Sequence, residues 1–344
     1  ALAPDDDDLW AELISTLELR TELEAASQAV TEGLAQVPGS ANIAFESAKI
    51  LRRQGDNAAS LAILEGLDPK RLHPRLLQSY HYELATTADR MGRFDDAWNS
   101  YCKGNEMACT SVRARNTDRK ALPAQIDAVQ HWLSDGAPAS ASSAGEDLGD
   151  DLCFLIGFPR SGTTLLDVML DGHHQVLSVE EKPTMERVAF RLDRLPGHYP
   201  LAMNNLTADN RSELRGLYRQ QLAELRGPRH TLVIDKMPIR TIHAAFIHRL
   251  FPNAKFLFAE RHPCDVVLSN FMQNYAINEA MIHFTRIDSA VETYDRIMRL
   301  WQRTLETLPE LPVHSVRYEK LLEDPEATLR AACGFLGLPW QSGL

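Results

Sequence analysis

The sequence contains few cysteines and no long apolar run. Its five cysteines are odd in number and scattered along the chain, and no two of them form a CxxC pair. Neither a disulfide framework nor a zinc knuckle is therefore predicted, and a reducing, cytoplasmic compartment is expected. No apolar stretch approaches the roughly 20 residues that a membrane-spanning helix requires. A membrane span is therefore not expected.

Positive charge is in deficit as well. The chain has 36 lysines and arginines against 47 aspartates and glutamates, which gives a net charge of −11. Nucleic-acid-binding proteins normally carry a basic face, so this balance argues against a nucleic-acid partner. Any anionic ligand must then be held by a local site. With 344 residues the chain exceeds the usual size of one hydrophobic core, and two domains are predicted.

Residues 1–135 show helical patterns almost throughout. Two similar phrases, at 48–59 and 88–97, each end one helix, turn at a glycine and begin another helix. Their glycines, Gly55 and Gly92, lie 37 positions apart, close to the period of about 34 residues in tetratricopeptide repeats. We predict an all-α domain of tetratricopeptide-like helical hairpins over 1–135, with the number of repeats left open.

Residues 136–151 are rich in Ser, Ala, Gly and acidic residues, which predicts a flexible linker. Short apolar runs then alternate with helical stretches. The predicted buried strands are 153–157, 231–235, 255–260 and 314–318. Strands that alternate with helices predict an α/β domain with a largely parallel sheet, over 152–344.

A glycine-containing loop follows the first predicted strand and leads into an amphipathic helix. This order of elements lets backbone N–H groups and the helix dipole hold a phosphate-like anion. The GxxxxG spacing matches a nucleoside-triphosphate P-loop, but Thr163 stands where the lysine of that motif would be. The alternative is a plain strand-to-helix turn. The predicted anion-binding residues are Arg160, Ser161, Gly162, Thr163 and Thr164.

The string PRSGTTLL at 159–166 resembles the 5′-phosphosulfate loop of the sulfotransferases that use 3′-phosphoadenosine 5′-phosphosulfate (PAPS). Further motifs follow in the family's order up to about residue 340. The resemblance is to the protein-tyrosine sulfotransferase branch and its bacterial relatives with tetratricopeptide repeats. It implies a P-loop-like α/β sulfotransferase fold, PAPS as the donor and 3′-phosphoadenosine 5′-phosphate (PAP) as the product, with no metal.

The same resemblance implies two catalytic residues. Glu181 matches the catalytic base, which would accept the acceptor's proton, and burial is expected to raise its pKa. Val179 and Lys182 depart from the family's pattern, so the choice between Glu180 and Glu181 stays open. Lys236 matches the lysine that stabilises the departing phosphate.

The remaining matches concern the donor nucleotide. Arg261 and Ser269 match the residues that bind the 3′-phosphate, and Tyr318 matches a nucleotide contact. The loop, Lys236 and Arg261 each follow an apolar run directly. Because ligands of parallel sheets bind beyond the carboxyl ends of the strands, we expect these residues to converge.

Histidines offer an alternative base, since some sulfotransferases use one. His173 or His174 is the candidate, although ordinary turn or core positions are favoured. None of the histidines forms an HExxH motif or joins a Cys/His cluster, so no metal site is predicted.

The sequence therefore predicts a sulfotransferase that moves a sulfuryl group from PAPS to an acceptor hydroxyl by in-line displacement. Peptide tyrosine is the leading acceptor, while a carbohydrate, lipid or small-molecule hydroxyl stays open. The alternatives are a nucleotide kinase or NTPase, and an inactive scaffold that binds partner peptides on its repeats. A polypeptide partner on the repeats and a homodimer are further hypotheses.

The two ends of the sequence carry expectations of their own. The chain opens Ala1-Leu2-Ala3-Pro4 without a methionine, so an earlier targeting segment stays open. The resemblance implies a further segment beyond Leu344 that closes over the nucleotide.

Overall fold

The computed structural model describes residues 5–136 and 146–344. The first four residues, and 137–145 of the predicted linker, lie outside the described residues. The α-helices of the described residues are α1 (Asp7–Leu19), α2 (Leu23–Gln36), α3 (Ala41–Arg53), α4 (Asn57–Gly66), α5 (Leu77–Arg90), α6 (Phe94–Thr110), α7 (Val112–Arg115), α8 (Ala121–Ser134), α9 (Thr163–Asp171), α10 (Thr184–Asp193), α11 (Ala208–Ala223), α12 (Ala244–Leu250), α13 (Pro263–Phe271), α14 (Ile287–Thr307), α15 (Tyr318–Glu323) and α16 (Pro325–Leu336).

The described residues divide into two compact units. The first takes the chain up to Arg119 together with Phe271–Ser289, and the second takes the rest. These bounds differ from the predicted domains, because long-range contacts join distant segments. In the first unit the Asn105 side-chain amide donates to the Phe271 carbonyl at 2.9 Å. In the second, the Trp132 indole of α8 donates to Asn204 Oδ1 at 2.6 Å.

The first unit is helical and consists mainly of antiparallel pairs: α1 with α2, α3 with α4, and α5 with α6. Gly55 and Gly92 follow α3 and α5 with φ of +94° and +73°, the left-handed conformation that glycine adopts most readily at a helix end. Asp56 then caps α4, since its carboxylate accepts from the Ala59 N–H at 3.0 Å. The helical region and its glycine turns agree with the prediction of repeats.

In the second unit, five strands of the described chain form one parallel sheet. They are β1 (Leu152–Gly157), β2 (Val176–Glu180), β3 (Leu232–Lys236), β4 (Lys255–Glu260) and β5 (Val313–Arg317), in the order β2-β3-β1-β4-β5. The predicted α/β class is confirmed. β1 lies at the centre, and all of its residues are buried because helices cover both faces of a parallel sheet.

The sequence missed β2, which lies at one edge and pairs with β3 alone. Only Val176 and Val179 are fully buried in it, so its pattern is neither a continuous apolar run nor a strict alternation. Because β2 ends at Glu180, it directs the glutamate pair to the edge of the sheet where β1, β3 and β4 also end.

The described end of the predicted linker, residues 146–151, is tied to α11. The Arg211 and Arg215 side chains donate to Glu146, at 3.0 and 2.6 Å, and these hydrogen bonds lower the pKa of Glu146 to about 2. Arg219 binds Asp147 and Asp151.

Among the helices of the described residues, none is both long enough and apolar enough to cross a membrane.

Candidate active site

The loop between β1 and α9, together with the first turn of α9, holds the predicted anion-binding residues just beyond the central strand of the sheet. Arg160 has a φ of +71°, which is unusual for a residue with a side chain, and Gly162 has a φ of +92°. A Cβ atom on Gly162 would lie 2.3 Å from Cδ2 of Tyr318. Position 162 therefore requires glycine twice, for its backbone conformation and for the ring that packs on it.

Four predicted donor-binding residues meet beside this loop. Arg160 Nε donates to Ser269 Oγ at 3.1 Å, and Arg261 Nη1 donates to the Arg160 carbonyl at 3.2 Å. The Arg261 guanidinium also lies over the Tyr318 ring, 4.7 Å from its centroid. Residue 160, residues 261 and 269, and residue 318 come from three distant parts of the sequence, so the convergence comes from the parallel sheet.

The hydroxyl groups of the loop have different surroundings. Ser161 is buried and its Oγ donates to the Phe158 carbonyl at 2.7 Å, so this hydroxyl holds the loop together. Thr163 is also buried. Thr164 is exposed, and its Oγ1 accepts from Lys236 Nζ at 3.4 Å. The contact links the first turn of α9 to β3.

Lys236 contacts both glutamates of the pair. Its Nζ donates to Glu180 Oε1 at 2.8 Å and to Glu181 Oε1 at 2.9 Å. The lysine side chain is 0% exposed, whereas the two glutamate side chains are 58% and 56% exposed. Burial alone would lower the pKa of Lys236, but the hydrogen bonds to the two carboxylates outweigh it and raise that pKa. Lys236 therefore remains an ammonium ion.

Glu181 has an unusual backbone conformation, with a φ of +47°. Its N–H donates to the Lys236 carbonyl at 2.8 Å, so β3 holds both its backbone and its side chain. The predicted burial of Glu181 is wrong, because more than half of its side chain is exposed. The cause is that β2 is an edge strand, and Glu181 lies just beyond its end.

Sequence reasoning missed Asp167, a buried carboxyl on α9. Ser178 Oγ of β2 donates to its Oδ1 at 2.7 Å. Burial raises the pKa of Asp167 to about 6, against the opposing effects of Ser178 and Lys236. Its position is a weak sequence signal, since Asp167 follows Thr163 by one helical turn and so shares its side of α9.

The histidine alternatives lie at the other end of α9. His173 Nε2 is 3.0 Å from the Pro339 carbonyl, and His174 Nδ1 is 2.7 Å from Gln341 Oε1. Among the residues that the structure describes, these hydrogen bonds of the two rings are thus to the C-terminal segment and not to Lys236 or the loop. In the part of the chain that the structure describes, no group of His, Cys, Asp and Glu side chains could hold a metal ion.

The sheet, the loop, and the residues gathered around Arg261 and around Lys236 define the class of protein. It is a P-loop-like α/β protein with an arginine inside the loop and Thr163 in place of the lysine of nucleoside-triphosphate-binding loops. Three cations of this edge, Arg160, Lys236 and Arg261, come from β1, β3 and β4 or from the residues just after them. Such a group of cations can hold a ligand with more than one anionic group.

The family follows from comparison with known proteins. The sequence profile of the Sulfotransferase family matches residues 153–342, more than half of the chain. The chain belongs to this family. A protein-tyrosine sulfotransferase of Drosophila melanogaster is 27% identical over 238 residues, which cover 65% of this chain and 44% of that protein. An uncharacterised protein of Aquifex aeolicus is 27% identical over 199 residues, 55% of this chain and 26% of that protein.

Among solved structures, the sulfotransferase domain from the curacin biosynthetic pathway aligns with a TM-score of 0.37 and 24% identity. The alignment covers 57% of this chain and 77% of that domain. The chain spans about half or less of the length of these curated relatives.

Proposed function

We propose that the protein is a PAPS-dependent sulfotransferase that transfers a sulfuryl group to an acceptor hydroxyl. The contact of Lys236 with Glu180, Glu181 and Thr164 carries this proposal. A candidate base, a cation for the departing group and the anion-binding loop meet there at one point. In-line transfer requires these three groups together.

Each site residue has a proposed role. The acceptor oxygen attacks the sulfur atom while the bond from sulfur to the bridging phosphate oxygen breaks. Glu181 accepts the hydroxyl proton, and Lys236 stabilises the charge that develops on the departing 5′-phosphate. The residues that would hold the donor are Arg160, Ser161, Gly162, Thr163, Thr164, Arg261, Ser269 and Tyr318.

The residues present fit this donor. The guanidinium of Arg261 lies over the ring of Tyr318 beside the loop, where a nucleotide's phosphate needs a cation. Arg261 Nε is buried and has no hydrogen-bond partner among residues 5–136 and 146–344. A 3′-phosphate would supply the missing acceptor.

Protein tyrosine is the proposed acceptor, because the Drosophila relative is named a protein-tyrosine sulfotransferase and matches 65% of this chain. We further propose that the helical repeats, assigned to 1–135, recruit the polypeptide. The cytoplasm is the proposed compartment, since the five cysteines of the described chain are free thiols. A homodimer stays a hypothesis.

Donor recognition can be tested by calorimetric titration with PAP, AMP, and ATP with magnesium. PAP should bind more tightly than AMP by about tenfold or more, because Arg261 would gain a charge-assisted hydrogen bond to the 3′-phosphate. Equal affinities for PAP and AMP would contradict the proposal. Tight binding of ATP with magnesium alone would favour a kinase or NTPase instead.

The base can be tested with a matched pair of variants, Glu181→Gln and Glu180→Gln, in a labelled-sulfate transfer assay. Both glutamates contact Lys236 and are equally exposed, so their effects on the lysine should be similar. Glu181→Gln should lower kcat by about 10³-fold with PAP affinity preserved. Glu180→Gln should lower it much less. The reverse order would assign the base to Glu180, and near-normal turnover in both variants would remove the carboxylate base.

A further inference from the structure

A fully buried ion pair lies directly behind the contact between Lys236 and the glutamates. Asp235 precedes Lys236 in β3, and its carboxylate pairs with the guanidinium of Arg240, with Nη1 2.6 Å from Oδ1. Both residues are 0% exposed. Burying two charges is costly unless their other hydrogen-bonding atoms also find partners, so the pair's remaining contacts show what it holds.

Those contacts lead to the segment that follows Glu181. Arg240 Nη2 donates to the Lys182 carbonyl at 3.0 Å and to Glu186 Oε2 at 2.9 Å. The other oxygen of Asp235 accepts from Thr184 Oγ1 at 2.6 Å. Residues 182, 184 and 186 are thus all bound to one pair of side chains on the segment that carries Lys236.

The held segment begins next to a strained residue. Glu181 adopts a left-handed φ of +47°, which residues with a side chain adopt only when their surroundings hold them there. The N–H of Glu181 itself donates to the Lys236 carbonyl. The carbonyl of the next residue, Lys182, accepts from Arg240. The conformation of Glu181 is therefore fixed from both sides.

We propose that Arg240 is a positioning residue, which keeps the Glu181 carboxylate at Lys236 by tying residues 182–186 to Asp235. This inference rests on the proposed function, in which Glu181 and Lys236 act on the same substrate. Arg240 itself touches neither reacting group. Its planar guanidinium donates in several directions at once, a geometry that a lysine cannot reproduce.

Replacing Arg240 by lysine separates positioning from ordinary stabilisation. One ammonium group in Arg240→Lys can pair with Asp235 but cannot also reach the Lys182 carbonyl and both oxygens of Glu186. The matched control is Arg215→Lys. Arg215 is also buried, with 5% of its side chain exposed, and pairs with Glu146 and the Leu250 carbonyl away from the proposed site.

Arg240→Lys should lower kcat by about 10²-fold, because small displacements of a catalytic group have effects of that size. The KM for PAPS and the Kd for PAP should stay within about threefold of the parent. Arg215→Lys should lower the Tm without changing kcat well below that Tm. If kcat falls by the same factor in both variants, or if Arg240→Lys keeps the parent's kcat, the positioning role is wrong.

Amide hydrogen exchange gives a readout that does not need transfer activity. The backbone amides of residues 181, 182 and 184–186 should exchange about tenfold faster in Arg240→Lys, and at the parent's rate in Arg215→Lys. If the parent protein transfers no sulfuryl group, the proposed function has failed. Exchange still decides the positioning role in that case: acceleration supports it, and an unchanged rate overturns it.

A milder variant covers the case in which Arg240→Lys does not fold. Glu186→Gln leaves the pair of Asp235 and Arg240 intact and removes a charge whose side chain is 34% exposed. It should accelerate amide exchange in the segment 182–186 and lower kcat by about tenfold, because the contact between Arg240 and residue 186 is weakened while the other contacts remain. A folded Glu186→Gln protein with the parent's exchange and kcat would overturn the proposal.

Discussion

Buried charges serve different purposes in the helical unit and in the unit that contains the sheet. In the helical unit Glu46 is 2% exposed and pairs with Lys49 on the same helix, with Nζ 2.7 Å from Oε2. Arg52 of α3 binds Glu83 of α5. The first pair spans one turn of a single helix and the second joins α3 to α5, and both involve regular helical backbone.

In the sheet unit the buried charges surround an irregular segment. Asp235, Lys236 and Arg240 are all 0% exposed, and they bind the turn that begins at Glu181 with its left-handed backbone. A buried charge in a helix pair can be explained by packing alone. Buried charges that hold a strained turn at the edge of a sheet indicate a site, because strain persists where function requires it.

The largest expected effect comes from replacing one ion-paired lysine in each unit, the buried Lys236 and the part-buried Lys49. Lys236→Met should lower kcat by about 10³-fold because the departing phosphate loses its cation. Its Tm should hold or rise, since Glu180 and Glu181 remain solvated. Lys49→Met should instead lower the stability by about 3 kcal/mol, because Glu46 stays buried without its cation.

Transfer assays and thermal unfolding, run on both variants, measure the two effects separately. Each variant is the control for the other, since each removes an ammonium group and introduces methionine. A large loss of Tm in Lys236→Met, or a loss of kcat in Lys49→Met at temperatures where it is folded, would contradict the contrast.

A smaller effect concerns the pH dependence of stability at Asp167. Burial raises its pKa from 3.8 to about 6, so the folded state binds the proton more tightly than the unfolded state does. The stability that this proton contributes is present below the unfolded pKa and is lost as the pH rises through about 6. Asp167→Asn keeps an acceptor for Ser178 but cannot ionise. It should therefore stabilise the protein at about pH 8, by up to about 3 kcal/mol.

Chemical denaturation at about pH 8 and at about pH 4.5 checks the sign, because the gain should shrink at the lower pH. Glu46→Gln in the helical unit is the comparison. Burial also raises the pKa of Glu46, but Lys49 opposes that shift, so the gain should be smaller there. If the Asp167→Asn protein is less stable than the parent at about pH 8, the predicted sign is wrong.

Local patterns were enough to predict most of the architecture. The turn glycines Gly55 and Gly92, the strand β1 and the loop that follows it depend on nearby residues, and their patterns are unambiguous. The convergence of Lys236 and Arg261 on one edge could also be predicted, because all strand ends of a parallel sheet meet there.

What could not be predicted depends on contacts between distant segments. Arg240 lies in a short helical turn whose residues are mostly buried, and its partners Asp235 and Glu186 come from β3 and from α10. The strand β2 gave no clear pattern because an edge strand has few buried positions. The exposure of Glu181 follows from that edge position, which the sequence does not reveal.

The discontinuous helical unit has a consequence for chimaeras between members of the family. Because Phe271–Ser289 belongs to it, a single crossover near Arg119 would transplant the hairpins without the segment that accepts from Asn105. Recombinants that exchange both segments together should keep their hydrogen bonds. A chimaera made with one crossover should therefore fold poorly. Exchanging the helical unit between family members would need crossovers at the ends of both segments.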